Sequence, residues 1–61
     1  MIHYFAVLTE TEPTKNRKKP RQIQIGAWTE ENLDRDIRAV FDSGYFAEES
    51  TIVKYYSVDG F

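Results

Sequence analysis

Residues 21–44 read RQIQIGAWTEENLDRDIRAVFDSG, and in this stretch a strand pattern passes directly into a helix pattern. Apolar and polar side chains alternate over residues 21–27. Successive side chains of a strand point to opposite faces of the sheet, so this alternation predicts a strand with one buried face. Because the helix follows this strand directly, we expect it to carry the chain back across one face of the sheet.

The second half of the stretch predicts a helix over about residues 29–43. Thr29 is a preferred N-cap residue, and the two glutamates that follow it suit the positive end of the helix dipole. Gly44 is a typical residue at the C-terminal end of a helix. Apolar side chains recur at helical spacing on one face, at Leu33, Ile37, Val40 and Phe41. We expect Leu33, Ile37 and Phe41 to be buried against a sheet.

Two further segments are rich in residues that favour strands. Residues 2–9 are apolar on both parities, which is typical of a central strand, and residues 51–58 form the last strand. Residues 10–20 are expected to form an exposed basic loop, and residues 45–50 a short acidic connection. The order β-β-α-β predicts a single α+β domain over residues 1–61, with a three-stranded antiparallel sheet in the order 2-1-3 and one helix packed on one face.

One helix can cover only one face of this sheet, so the parity of each strand decides what remains uncovered. Burying the unpaired ammonium of Lys54 would be costly, and we therefore place Lys54 on the face away from the helix. In the first strand, His3 and Thr9 favour the outer face, so Tyr4, Ala6 and Leu8 are expected beneath the helix. The uncovered face is expected to carry His3, Phe5, Val7, Gln22, Gln24, Lys54 and Tyr56. An apolar patch of this kind usually marks an interface.

The positive charge of the chain is concentrated in one segment. Five of the eight basic residues are Lys15, Arg17, Lys18, Lys19 and Arg21. Residues 1–21 carry five bases against two acids, whereas residues 22–61 carry three bases against eight acids. Basic segments of this length bind phosphate backbones or acidic protein surfaces. The alternative is that these charges only keep the tip of a hairpin solvated and deter aggregation through its edge.

The residue types in the chain predict a protein that is not an enzyme. Cysteine is absent, so thiolate metal sites and disulfides cannot form. His3 is the single histidine, and the three glycines are isolated rather than grouped in a phosphate-binding loop. We therefore expect neither a cofactor nor a metal ion. No apolar run approaches the length that spans a membrane, so we expect no membrane partner and a cytoplasmic location.

The chain resembles a group of very small bacteriophage proteins that inhibit host enzymes. The resemblance covers the order of elements over the whole chain. It is clearest where a strand passes into an acidic helix through a threonine cap, at Ala27-Trp28-Thr29-Glu30-Glu31-Asn32-Leu33-Asp34. Several members of the group lack a catalytic site and are built as a hairpin, one helix and a closing strand. The resemblance implies a role in binding and blocking a host protein, and no functional residue is carried over from it.

These features predict a small protein-binding module that inhibits or modulates a host enzyme. The residues expected to contact the partner are Lys15, Arg17, Lys18, Lys19, Arg21, Phe5, Lys54 and Tyr56. Trp28 is expected to anchor the core or the hinge before the helix, with an interface hot spot as the alternative. A second hypothesis is a nucleic-acid binder that uses the basic loop and the open sheet face, although a net charge of −2 opposes it. A third is a homodimer.

Overall fold

The computed structural model describes residues 1–12 and 19–60, and it confirms the predicted fold class. The elements in chain order are β1 (Ile2–Glu10), β2 (Gln22–Ala27), the helix α1 (Glu30–Asp42), a short 3-10 helix (Glu48–Ser50) and β3 (Thr51–Asp59). The three strands form a sheet in the order β2-β1-β3, and β1 is antiparallel to both of its neighbours. Lys15, Arg17 and Lys18 of the predicted basic loop lie outside the described residues.

The central position of β1 is fixed by two continuous ladders. Its pairing with β2 runs from Tyr4 opposite Ala27 to Thr9 opposite Gln22. Its pairing with β3 is longer, and every residue from Thr51 to Asp59 has a partner in β1. Strand β1 is therefore flanked on both sides, as its apolar character on both parities predicted.

The helix begins and ends where the capping residues indicate. The Thr29 side chain accepts a hydrogen bond from the backbone N–H of Asn32, with an N to O distance of 3.1 Å. At the other end, the N–H of Gly44 donates to the carbonyl oxygen of Phe41 at 3.1 Å. Gly44 has φ of +79°, in the left-handed region that favours glycine. Both caps satisfy backbone groups that the helix itself leaves unpaired.

The core lies between α1 and the inner face of the sheet, and the predicted parity of β1 is confirmed. Ala6 and Leu8 are fully buried, and Tyr4 packs against the core. The other buried apolar residues are Ala27, Leu33, Ile37 and Phe46. Ile23, Ile25, Val40, Phe41 and Val53 are partly buried against them.

The expectation that Phe41 is buried is wrong in degree, because its side chain is only partly buried. The helix packs on β2 and β1 rather than on β3. Phe41 therefore borders an open groove between α1 and β3, together with Ile37 and Val53. This lateral offset of the helix leaves the inner side of β3 accessible.

The connection over residues 45–50 contributes a core residue that its composition did not reveal. Phe46 is 1% exposed and is the largest fully buried side chain, together with Leu8. Its ring lies 5.4 Å from that of Tyr45, centroid to centroid. The segment is therefore part of the packed structure and not only a solvated acidic link.

A charged pair joins the base of the β1–β2 hairpin to this connection. The guanidinium of Arg21 donates from Nε and Nη2 to the two carboxylate oxygens of Glu10, each at 3.1 Å, and Glu10 is only 8% exposed. The guanidinium also lies 4.3 Å from the ring centroid of Tyr45 and 4.8 Å from that of Phe46. Hydrogen bonding to Glu10 is the main cause of a raised pKa of Arg21, which stabilises the charged form.

A second ion pair ties α1 to the 3-10 helix. The guanidinium of Arg38 donates to both carboxylate oxygens of Glu48, each at 2.9 Å. These hydrogen bonds hold the pKa of Glu48 below its ordinary value and raise that of Arg38. Both side chains are more than half exposed, so the pair positions the connection more than it adds to stability.

Candidate binding surface

Four rings form a continuous row on the outer face of the sheet, the face opposite α1. The rings of Trp28 and His3 stack with centroids 4.2 Å apart and an interplanar angle of 13°. His3 and Phe5 are also 4.2 Å apart but tilted by 43°. Phe5 and Tyr56 stack at 4.9 Å and 14°. We call these four residues the aromatic row.

The aromatic row follows from strand parity and register. His3 and Phe5 are two residues apart on β1, so their side chains share a face. Tyr56 lies directly opposite Phe5 in the β1–β3 ladder. Because Ala27 at the end of β2 is buried on the inner side, the next side chain, that of Trp28, is directed to the outer side. Rings from β1, from β3 and from the residue that follows β2 therefore reach the same face of the sheet.

Gly26 provides the space that this packing needs. It lies opposite Phe5 in the β1–β2 ladder. A Cβ atom added at Gly26 would lie 3.1 Å from Nε2 of His3 and 3.1 Å from Cε1 of Phe5, closer than Cβ atoms normally approach. The absence of a side chain here lets the two rings lie over the β2 backbone.

We expect Gly26→Val to displace the rings of His3 and Phe5 and to lower the free energy of unfolding by about 1–3 kcal/mol through overcrowding. The near-ultraviolet circular dichroism of the aromatic row should change while the far-ultraviolet spectrum is retained. Gln22→Val is the control, because it places the same side chain on the same face of β2 away from the rings and removes only the exposed hydrogen bond from Nε2 of Gln22 to Thr9. Identical near-ultraviolet spectra for the two variants would contradict the close packing at Gly26.

Polar groups border the aromatic row. Nε2 of Gln24 donates to the hydroxyl oxygen of Tyr56 at 2.7 Å and so fixes the position of this ring. Lys54 lies opposite Val7 in the ladder, two residues before Tyr56 and on the same face. The structure therefore brings Phe5, Lys54 and Tyr56 together, three residues that the sequence assigned to partner binding.

The other predicted contact residues are placed differently. Lys19 is exposed, at the edge of the described part of the chain. Arg21 was also assigned to the partner, but the structure directs its guanidinium to Glu10, Tyr45 and Phe46 within the same chain. These contacts hold the hairpin against the fold, and the assignment of Arg21 to partner binding stays a prediction. The expectation for the remaining three basic residues, Lys15, Arg17 and Lys18, lies outside the described residues.

Trp28 contributes more to this surface than the sequence predicted. Its side chain was expected chiefly as a core or hinge anchor, but Trp28 is 51% exposed and stacks on His3. The alternation from Ala27 to Trp28 carried the signal, because neighbouring residues at the end of a strand face opposite sides. Trp28 extends the aromatic row beyond the residues that the sequence had selected.

The geometry of the aromatic row bears on what it can bind. In each stacked pair, one face of each ring is turned toward its neighbour, at interplanar angles of 13° and 14°. Base recognition on an open sheet uses ring faces that are free to stack on bases. Each ring of the two stacked pairs therefore has one face covered by its neighbour. Such a surface suits apolar contact with a protein better than successive base stacking.

Residues 1–12 and 19–60 contain neither a cluster of metal-binding side chains nor a helix suited to crossing a membrane. In this part of the chain, no three histidine, aspartate or glutamate side chains come together in a way that could hold a metal ion. None of its helices combines the length and the apolar character needed to cross a membrane.

The sequence matches no protein-family model, and neither the curated proteins nor the solved structures yield a significant match. Function must therefore be inferred from the residues and the geometry of this chain.

Proposed function

We propose that this chain is a small non-enzymatic protein-binding module that acts by covering a surface of a larger partner. The observation that carries the proposal is the aromatic row on the sheet face opposite α1, where Trp28 is 51% and Tyr56 43% exposed. Exposed aromatic side chains held in fixed positions are typical of interface hot spots, because little side-chain entropy is lost when they are covered. Lys54 beside the row favours a partner surface with an acidic rim.

The class of partner is proposed from the resemblance to phage inhibitors of host enzymes. On this proposal the partner is an enzyme of a bacterial host, the chain inhibits or modulates it, and both act in the bacterial cytoplasm. The basic residues Lys15, Arg17, Lys18 and Lys19 would add electrostatic attraction to acidic groups around the contact. The apolar centre would come from the aromatic row.

A nucleic-acid-binding function is the second candidate. It is favoured by one specific arrangement, the position of Lys54 on the same face as the rings of Phe5 and Tyr56. Against it stand the net charge of −2 and the stacking of the rings on one another. We therefore expect weak binding to random DNA or RNA at physiological salt. Submicromolar affinity with a steep salt dependence would instead favour this candidate.

The proposal is tested by placing a charge in the aromatic row. Tyr56→Glu and Phe5→Glu should remain folded, because neither residue belongs to the buried core, and should lose the protein captured by the wild type from a bacterial lysate. Ala39→Glu adds the same charge on the exposed side of α1 and should capture that protein like the wild type. Circular dichroism checks folding, and mass spectrometry identifies the captured protein.

Two outcomes of this experiment would contradict the proposal. Capture that is equal for the wild type, Tyr56→Glu and Phe5→Glu would show that the outer face does not make the contact. Unfolding of both glutamate variants would place Phe5 and Tyr56 in the core and would invert the assignment of the two faces.

A further inference from the structure

We propose that the edge of β3 is a self-association site, at which a second copy of the chain adds its own β3 in antiparallel orientation, centred on Tyr55. The two sheets would then join into one sheet across a two-fold axis. This contact uses a strand edge, whereas the proposed function uses the outer face of the sheet. The two proposals are therefore independent and can fail separately.

The backbone hydrogen bonds show which groups β3 presents at its free edge. The N–H of Thr11 donates to the carbonyl oxygen of Ser50 at 2.9 Å, and the N–H of Gly60 donates to that of Met1 at 3.3 Å. Residues with even numbers along this segment therefore direct their backbone groups toward β1. Antiparallel strands alternate in this respect, so the odd-numbered residues direct theirs to the edge. These are Val53, Tyr55, Ser57 and Asp59, together with the carbonyl group of Thr51, whose N–H donates to the carbonyl oxygen of Glu48 instead.

Strand β3 has few of the features that protect sheet edges from pairing. It is nine residues long, every residue is paired with β1, and it contains neither proline nor glycine. Its only lysine is Lys54. Short strands, prolines, bulges and clustered charges are the usual protective devices. The apolar side chains that β3 exposes are those of Ile52, Tyr55, Tyr56 and Val58.

The order of residues in β3 favours one particular pairing with its own copy. With Tyr55 opposite Tyr55 of the second copy, Ile52 lies opposite Val58, and Lys54 opposite Tyr56. Apolar side chains then meet, and each ammonium approaches an aromatic ring rather than another charge. All nine residues of the strand overlap in this register, because Tyr55 is its midpoint.

The neighbouring registers are less favourable. An axis through Lys54 would place this residue against its own copy, and like charges directly opposite each other destabilise a ladder. An axis through Tyr56 would shorten the overlap and set Val53 against Asp59. Strand edges tend to pair in general. The residues of β3 in addition favour the register with the two-fold axis at Tyr55.

The position of α1 leaves room for the second copy. The helix packs over β2 and β1, and the inner side of β3 borders open grooves lined by Leu33, Asp34, Val53 and Tyr55. Tyr55, on the proposed axis, is 61% exposed. Its ring can therefore meet its counterpart without displacing the helix of either copy.

The test combines the mass in solution with hydrogen exchange. Sedimentation equilibrium of the full chain should give twice the monomer mass of 7.2 kDa as the concentration rises. Tyr55→Lys places two like charges on the axis and should give the monomer mass at every concentration. Ala39→Lys adds the same charge on the exposed side of α1 and should dimerise like the wild type. Tyr56→Glu should also dimerise, because the new carboxylate would face Lys54 of the second copy.

Amide exchange identifies the surface that pairs. The N–H groups of Val53, Tyr55 and Ser57 should become protected with rising concentration in the wild type and stay unprotected in Tyr55→Lys. Those of Lys54 and Tyr56 bond to β1 and should be protected in both. A wild-type chain that remains a monomer would overturn the proposal. A Tyr55→Lys variant that still dimerises, with exchange at these odd-numbered amides independent of concentration, would overturn it as well. Loss of the folded circular dichroism spectrum in Tyr55→Lys would do the same, because it would place Tyr55 in the core.

Discussion

Phe46→Ala should unfold a large fraction of the protein, although Phe46 lies in a connection and not in a helix or strand. The side chain is 1% exposed and belongs to the buried cluster between α1 and the sheet. Truncating a buried phenylalanine costs about 3–5 kcal/mol, through lost apolar burial and the cavity that remains. Domains of this size have little stability in reserve, since small domains bury a smaller share of their surface. Urea denaturation followed by circular dichroism measures the loss.

Tyr45→Ala is the matched control for this prediction. Tyr45 is the adjacent aromatic residue, but it is 48% exposed, and its truncation should cost well under half as much as that of Phe46. Equal losses of stability in the two variants would mean that Phe46 is not a core residue and that the connection is not packed as described.

Ile37→Ala should produce the second largest loss, about 2–5 kcal/mol. Ile37 lies in the middle of the apolar face of α1 and is buried against the sheet. The helix depends on this face, because a short helix in isolation is only marginally stable. The same urea titration measures the effect, and Ala39→Gly provides a control for helix propensity, with an expected cost of about 1 kcal/mol at an exposed helical position. An Ile37→Ala variant as stable as the parent would contradict the assigned packing face of α1.

The contrast between Ile37 and Phe46 shows how much of the fold the sequence could predict. Ile37 belongs to a periodic pattern bounded by a cap at Thr29 and a stop at Gly44, and the pattern alone predicted its burial. The alternation in β2, the charge of Lys54 in β3, and the polar side chains of His3 and Thr9 in β1 were enough to predict the faces of the strands. Local periodicity of this kind depends only on neighbouring residues, which is why the helix and the strands could be predicted without the structure. The strand order followed from the connection of β2 to β3 through the helix and from the apolar character of β1.

Phe46 and Arg21 could not be assigned in this way, because their roles depend on contacts between distant segments. Phe46 lies in an aperiodic stretch, where no pattern separates a buried ring from an exposed one. Arg21 is one base of a basic run, and only the fold shows that Glu10 and the ring of Tyr45 lie beside it. Tertiary contacts of this kind leave no local signature in the chain.

The candidate surface was predicted in part. Phe5, Lys54 and Tyr56 were assigned to the partner from strand parity, and the structure places them together on the outer face. The stacking of Trp28 on His3 depends on how the chain turns after β2 and was not predicted. Periodicity indicates which face a side chain takes, whereas the way neighbouring rings stack is decided only by packing.

The central claim, that the outer face of the sheet binds a protein, is tested most directly by photo-cross-linking in a bacterial lysate. Val7 is the position to use, because it lies on the outer face of the central strand between Gln24 and Lys54, away from the edge of β3. A photoreactive phenylalanine analogue at Val7 should form an adduct with a protein other than the chain itself, and the same analogue at Ala39 on α1 should not. A nucleic-acid adduct at Val7, no adduct there, or equal labelling from both positions would contradict the claim.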